Sequence, residues 1–143
     1  MRIINPLIII RISSTILLIE TISFLFCIPV ALIYKEPLTP FIWSVAATSV
    51  FYVLFRFLSR NAEIVNISNR DTYLIVTTGW IIISLFGSLP YILSNSIPSF
   101  INAFFESASG FTTTGSSILT EVESLPYSIL FWRSLTHWIG GIG

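Results

Sequence analysis

Phe104-Phe105-Glu106-Ser107-Ala108-Ser109-Gly110-Phe111-Thr112-Thr113-Thr114-Gly115-Ser116-Ser117 joins a short apolar segment to a polar run. Its first half belongs to an apolar segment over residues 98–110, which is too short to cross a bilayer. As a helix, residues 101–110 reach only about 15 Å, against an apolar core of about 30 Å. The polar run of residues 112–117 follows without a spacer, then Glu121 and Glu123, then a new apolar segment from near Pro126. By itself a Thr/Ser/Gly cluster reads as an ordinary loop. With a half-length helix before it and a membrane-length helix after it, it reads as a re-entrant loop.

Non-helical backbone at membrane depth persists only where it is buried in protein or lines water, because an unsatisfied peptide group is costly in hydrocarbon. A cation path is a natural reason to place it there, since carbonyl oxygens aimed at a common axis replace an ion's hydration shell. Thr113, Thr114, Gly115 and Ser116 are the candidate donors of those carbonyls, with Gly115 able to take angles closed to other residues. The carboxyl end of the half-helix, near Ser109-Gly110, turns partial negative charge toward the same place. Ala108, Ser109 and Gly110 are small enough for the strand to fold back closely. Glu106 either holds the strand by accepting hydrogen bonds or sits at the rim as a charge that attracts cations.

Outward from this loop, long apolar segments cover residues 12–34, 41–58 and 72–94, each near the length of a spanning helix. Composition agrees: hydrophobic residues make up 54% and charged residues 10%, with a mean hydropathy of +0.87. The fold class expected is therefore all-α, a polytopic membrane protein with a re-entrant half-helix and an extended strand. The apolar amino-terminal run lacks a small-residue cleavage site and reads as a retained anchor. Lys35-Glu36-Pro37 and Pro40 divide the first two segments into a tight hairpin. Residues 59–71 read as an exposed loop in which Asp71 is placed to cap the next helix. Arg2, Arg11, Arg56, Arg60 and Arg70 fall on one side of the zigzag and Lys35 on the other, so the amino terminus is expected in the cytoplasm. A net charge of zero gives no nucleic-acid footprint. Cys27, inside an apolar run, reads as a small core residue. Glu20, also at membrane depth, reads as structural, with no partner identifiable.

Four ordered blocks resemble TrkH/TrkG potassium-uptake proteins of the wider Trk/Ktr/HKT superfamily. They are Asp71-Thr72-Tyr73-Leu74-Ile75-Val76-Thr77-Thr78-Gly79-Trp80, Gly87-Ser88-Leu89-Pro90-Tyr91, residues 104–115 as quoted, and Trp132-Arg133-Ser134-Leu135-Thr136-His137-Trp138-Ile139-Gly140-Gly141-Ile142-Gly143. The resemblance implies four membrane–pore–membrane units around one pore, with residues 1–65 as an extra amino-terminal pair of helices. Residues 66–143 would be the first unit, truncated in its second helix. It places the potassium-binding filter on Thr113, Thr114, Gly115 and Ser116, and makes Gly115 the selectivity glycine.

Thr112, Glu106 and Arg133 are read as filter support, with Arg133 at the outer end of its helix and bonded to a pore-loop carbonyl or carboxylate. His137 reads as a packed or water-facing residue, because no ligand set stands at metal spacing. Gly140, Gly141 and Gly143 read as sites of close helix packing. No Ser/His or paired-carboxylate constellation supports an enzyme. The expected activity is potassium uptake across the inner membrane, with potassium as cargo, no bound cofactor and no other metal. By resemblance, the complete protein forms a homodimer in lipid and binds a cytoplasmic nucleotide-binding regulatory subunit. The length is expected to reflect a fragment or split gene. The alternatives are a truncated non-conducting membrane protein and a small homotetrameric cation channel.

Overall fold

The computed structural model describes residues 6–62 and 69–142, and the described residues are helical with no β-strand. α1 covers Pro6–Ile33, α2 Thr39–Leu58, α3 Asn69–Gly87, α4 Leu89–Leu93, α5 Phe100–Phe111 and α6 Tyr127–Ile142; a 3-10 turn covers Val122–Ser124. Among the described residues, three stretches are long and apolar enough to cross a membrane: Pro6–Ile33, Thr39–Leu58 and Asn69–Leu93. The chain is a polytopic membrane protein, as its hydropathy predicts.

α1 is apolar on all sides, yet its buried stripe keeps helical spacing at Leu17, Glu20, Thr21, Phe24, Cys27 and Ala31. The opposite surface, with Phe26 and Ile33, is exposed and suited to lipid. Several hydroxyls within the apolar helices, among them those of Thr21, Ser23, Ser44 and Thr48, donate to carbonyls one turn back in the same helix. Thr21 donates to Leu17 O at 2.7 Å and lies 2.8 Å from the hydroxyl of Thr48, which ties α1 to α2.

α1 ends on a Schellman motif. Lys35 turns left-handed (φ 56°), its N–H donates to Leu32 O, and Glu36 N–H donates to Ala31 O. Pro40 in the first turn of α2 completes the expected hairpin. At the other end Arg11 donates to Ser59 O, the carboxyl cap of α2, at 3.2 Å.

Two expectations change. Asp71 lies in the first turn of α3, already inside the helix, where an acid still meets the positive end of the macrodipole. The third apolar segment is two helices, interrupted at Ser88 ahead of Pro90, whose ring lacks a backbone donor. Arg2, residues 63–68, including Glu63 and Asn66 of the predicted inner loop, and Gly143 lie outside the described residues.

α1 packs against α2, α3 and α6, α3 against α5, and α5 against α6. Trp132 of α6 is fully buried at the centre. Its ring centroid is 4.4 Å from that of Phe24 and 6.1 Å from that of Phe111, and its indole N–H donates to Gly87 O at 2.9 Å. That one side chain joins α1, α3 and α5 at the level where the loop turns back.

Candidate functional site

α5 spans only about 18 Å at 1.5 Å per residue, too short to cross a membrane. Its carboxyl end is again a Schellman motif: Thr113 N–H donates to Gly110 O at 3.0 Å, and Thr114 N–H to Ser109 O at 3.1 Å. The left-handed position of such a motif usually holds glycine. Here it holds Thr113 at φ 55°. A β-branched residue in that conformation costs about 1–2 kcal/mol. The strain sits at the first residue of the candidate strand.

Beyond the motif, residues 114–117 carry no regular secondary structure. Thr112 donates to Ala108 O at 2.7 Å and its hydroxyl lies 2.8 Å from that of Thr114. Gly115 takes φ 76°, and a Cβ added there would meet nothing within 4 Å. Its need for glycine is conformational, not steric. Among the described residues no hydrogen bond ends on the carbonyls of Thr113, Thr114 or Gly115, while the Ser116 carbonyl accepts one from the Ser109 hydroxyl. Residues 112–118 are exposed, so the unpaired carbonyls of residues 113–115 lie on an open face.

Glu106 is buried at 1% exposure and is not a rim charge. The Ser117 hydroxyl donates to it at 3.0 to 3.1 Å, Ile118 N–H at 3.1 Å and Arg133 Nε at 2.7 Å. A buried carboxylate is tolerated when paired in this way, and its partners gain position in return. Arg133 stands almost two turns into α6, not at the helix end where the sequence suggested it, because only there does it face Glu106 across the α5–α6 contact. His137 is half-buried, with Nδ1 2.8 Å from Arg133 O, as a packed residue would be. No group of three metal-ligating side chains occurs among the described residues.

Gly140 brings α6 directly onto the end of α5. A Cβ there would lie 1.9 Å from the Phe111 carbonyl oxygen, whereas one at Gly141 would only reach Thr113 Cγ2 at 3.9 Å. The bond from Ser109 to Ser116 O and the capping of α6 by Glu36 lie outside the sequence reading. Each joins residues whose meeting depends on how the chain folds back.

A helix of membrane-spanning length, a half-helix, an irregular segment with free carbonyls and a following apolar helix define a membrane protein with a re-entrant loop. The TrkH family, described as "Cation transport protein", matches residues 39–143, and the chain belongs to this family. It is 35% identical over 142 residues to the Trk system potassium uptake protein TrkH of Vibrio parahaemolyticus, with 94% of this chain and 28% of the relative covered. The TrkH of Escherichia coli K12 is 45% identical over 78 residues, covering 54% of this chain and 16% of the relative. An uncharacterized cation transporter of Methanocaldococcus jannaschii is 41% identical over 95 residues, covering 66% and 20%. The crystal structure of the potassium transporter TrkH from Vibrio parahaemolyticus aligns with a TM-score of 0.80 at 32% identity, over 94% of this chain and 29% of that one. The chain spans less than a third of the length of each of these relatives.

Proposed function

We propose that residues 66–143 form one of four units around a potassium-selective pore in the inner membrane, preceded by an amino-terminal helical pair over residues 1–65. Thr113, Thr114 and Gly115 contribute carbonyl oxygens to the ion path, and Ser116 stands at the outer end of the strand with its carbonyl partly committed to Ser109. Thr112, Glu106 and Arg133 hold the strand. Potassium is the cargo and moves inward down its electrochemical gradient. The likeness to proteins named for potassium uptake supports this ion, as does the absence of any charged side chain among residues 112–117. The complete transporter dimerises and engages a cytoplasmic nucleotide-binding regulatory subunit, which binds any nucleotide.

The observation that carries the reading is the unpaired carbonyl face of residues 113–115 at the end of a half-helix. Backbone of this kind is stable at membrane depth only against water, an ion or protein.

Gly115→Ser tests it. The added side chain meets no atom of this chain, so its effect passes through φ alone. In the transporter assembled from all four units, reconstituted in liposomes, the potassium-to-sodium permeability ratio should fall by roughly tenfold, since ion choice rests on differences near 1.4 kcal/mol. Ser117→Ala should change the ratio much less. An unchanged ratio in Gly115→Ser protein that elutes normally on gel filtration removes Gly115 from the filter.

A further inference from the structure

Glu36 lies in the turn between α1 and α2, with its backbone fixed by the Schellman motif that ends α1. Its carboxylate reaches across 91 positions to the start of α6: Oε1 accepts the Tyr127 N–H at 2.7 Å, and Oε2 accepts the Ser128 N–H at 2.9 Å and the Ser128 hydroxyl at 2.5 Å. Beside it the rings of Tyr34 and Tyr127 stack with centroids 4.2 Å apart. The first N–H groups of a helix have no partner within it and carry the positive end of its dipole, so a carboxylate there is a strong anchor. A helix usually takes such a cap from the residue just before it. α6 takes it from another pair of helices, and the residue just before it is Pro126, which has no side-chain acceptor.

α6 in turn carries Arg133, which pairs with Glu106, and Glu106 holds Ser117 and Ile118 at the end of the candidate filter strand. We infer that Glu36 is a positioning residue for the filter strand, by which the amino-terminal helical pair sets the seat of α6 and, through Arg133 and Glu106, the strand itself. The amino-terminal pair is then a strut for the pore unit and not a passive addition. This inference rests on the proposed filter.

Two variants separate a strut from a mere cap. Glu36→Ala removes every acceptor, while Glu36→Ala combined with Pro126→Asp returns a local cap to α6 without the tie to the hairpin. In the complete transporter in liposomes, Glu36→Ala should lower both the thermal midpoint and the potassium-to-sodium permeability ratio, the latter by about threefold to tenfold, because a site held loosely by its supports loses its geometry. The double variant should regain the thermal midpoint and keep the lowered ratio. Recovery of both quantities reduces Glu36 to a cap, and an unchanged ratio in Glu36→Ala overturns the strut outright. If Glu36→Ala alone does not fold, the double variant supplies the ratio. Gly115→Ser, measured beside them, separates the two readings: a lowered ratio there with none in the Glu36 variants leaves the filter standing and removes the strut.

Discussion

Two buried glutamates, Glu20 on α1 and Glu106 on α5, have opposite surroundings. Glu106 is held by a guanidinium, a hydroxyl and a backbone N–H, whereas both carboxyl oxygens of Glu20 lack a partner among the described residues. Gly87 is what admits Glu20: a Cβ there would stand 3.0 Å from Glu20 Oε1 and 2.6 Å from the Ser107 hydroxyl, which is also unpartnered. Breaking a paired buried group exposes its partner to the full desolvation penalty, but replacing an unpaired one by an apolar side chain of similar volume removes a cost. Glu20→Met should therefore raise the thermal midpoint, with a gain of about 1–3 kcal/mol, and leave potassium uptake intact. Thermal unfolding in detergent and uptake in cells lacking their own potassium systems measure the two. Loss of uptake in folded Glu20→Met protein would give Glu20 a functional role and defeat the structural reading.

At the level of elements, the α5–α6 contact depends on glycine in one place and tolerates a side chain one residue later. Gly140→Ala sets a methyl against the backbone carbonyl of Phe111, which cannot rotate away, so α6 must withdraw from the end of α5. The expected loss is about 1–3 kcal/mol or more, together with reduced uptake. Gly141→Ala meets only a side-chain methyl at 3.9 Å and gains about 1 kcal/mol of helix propensity. Equal thermal midpoints for the two variants would show that the contact is not as close as described. The spanning segments and the short α5 were legible in the sequence because hydropathy and length are local quantities. So was Gly115, since a positive φ favours glycine. Thr113 was legible only as a member of the strand; its left-handed angle breaks the usual preference for glycine at a helix end, and no pattern announces such an exception. The start of α3 before Asp71, the break at Ser88 and the depth of Arg133 were misread or missed. The depth of Arg133 is fixed by its pairing with a carboxylate 27 positions away, whereas the break at Ser88 follows locally from Pro90.

For the whole molecule, orientation follows from which ends share a side. The bond from Arg11 to Ser59 O puts the start of α1 beside the end of α2, and the bonds from Tyr127 and Ser128 to Glu36 put the α1–α2 turn beside the start of α6. The first side carries Arg11, Arg56, Arg60 and Arg70, and the second carries Lys35 with Glu36, Glu121 and Glu123. Arginine and lysine resist translocation while acids count for little, so the first side is expected in the cytoplasm. The same orientation sets the acidic turn at Val122–Ser124 outside, next to the outer end of the proposed filter, where its charge would raise the local cation concentration. Asn61 and Glu121 are exposed on opposite sides and suit the test. With Cys27→Ser as background, Glu121→Cys should react with a membrane-impermeant thiol reagent on intact cells, and Asn61→Cys should react only after the membrane is opened. Labelling of Asn61→Cys on intact cells, with Glu121→Cys silent, would reverse the orientation: α5 would then enter from the cytoplasm, and residues 113–116 could not be an outer filter.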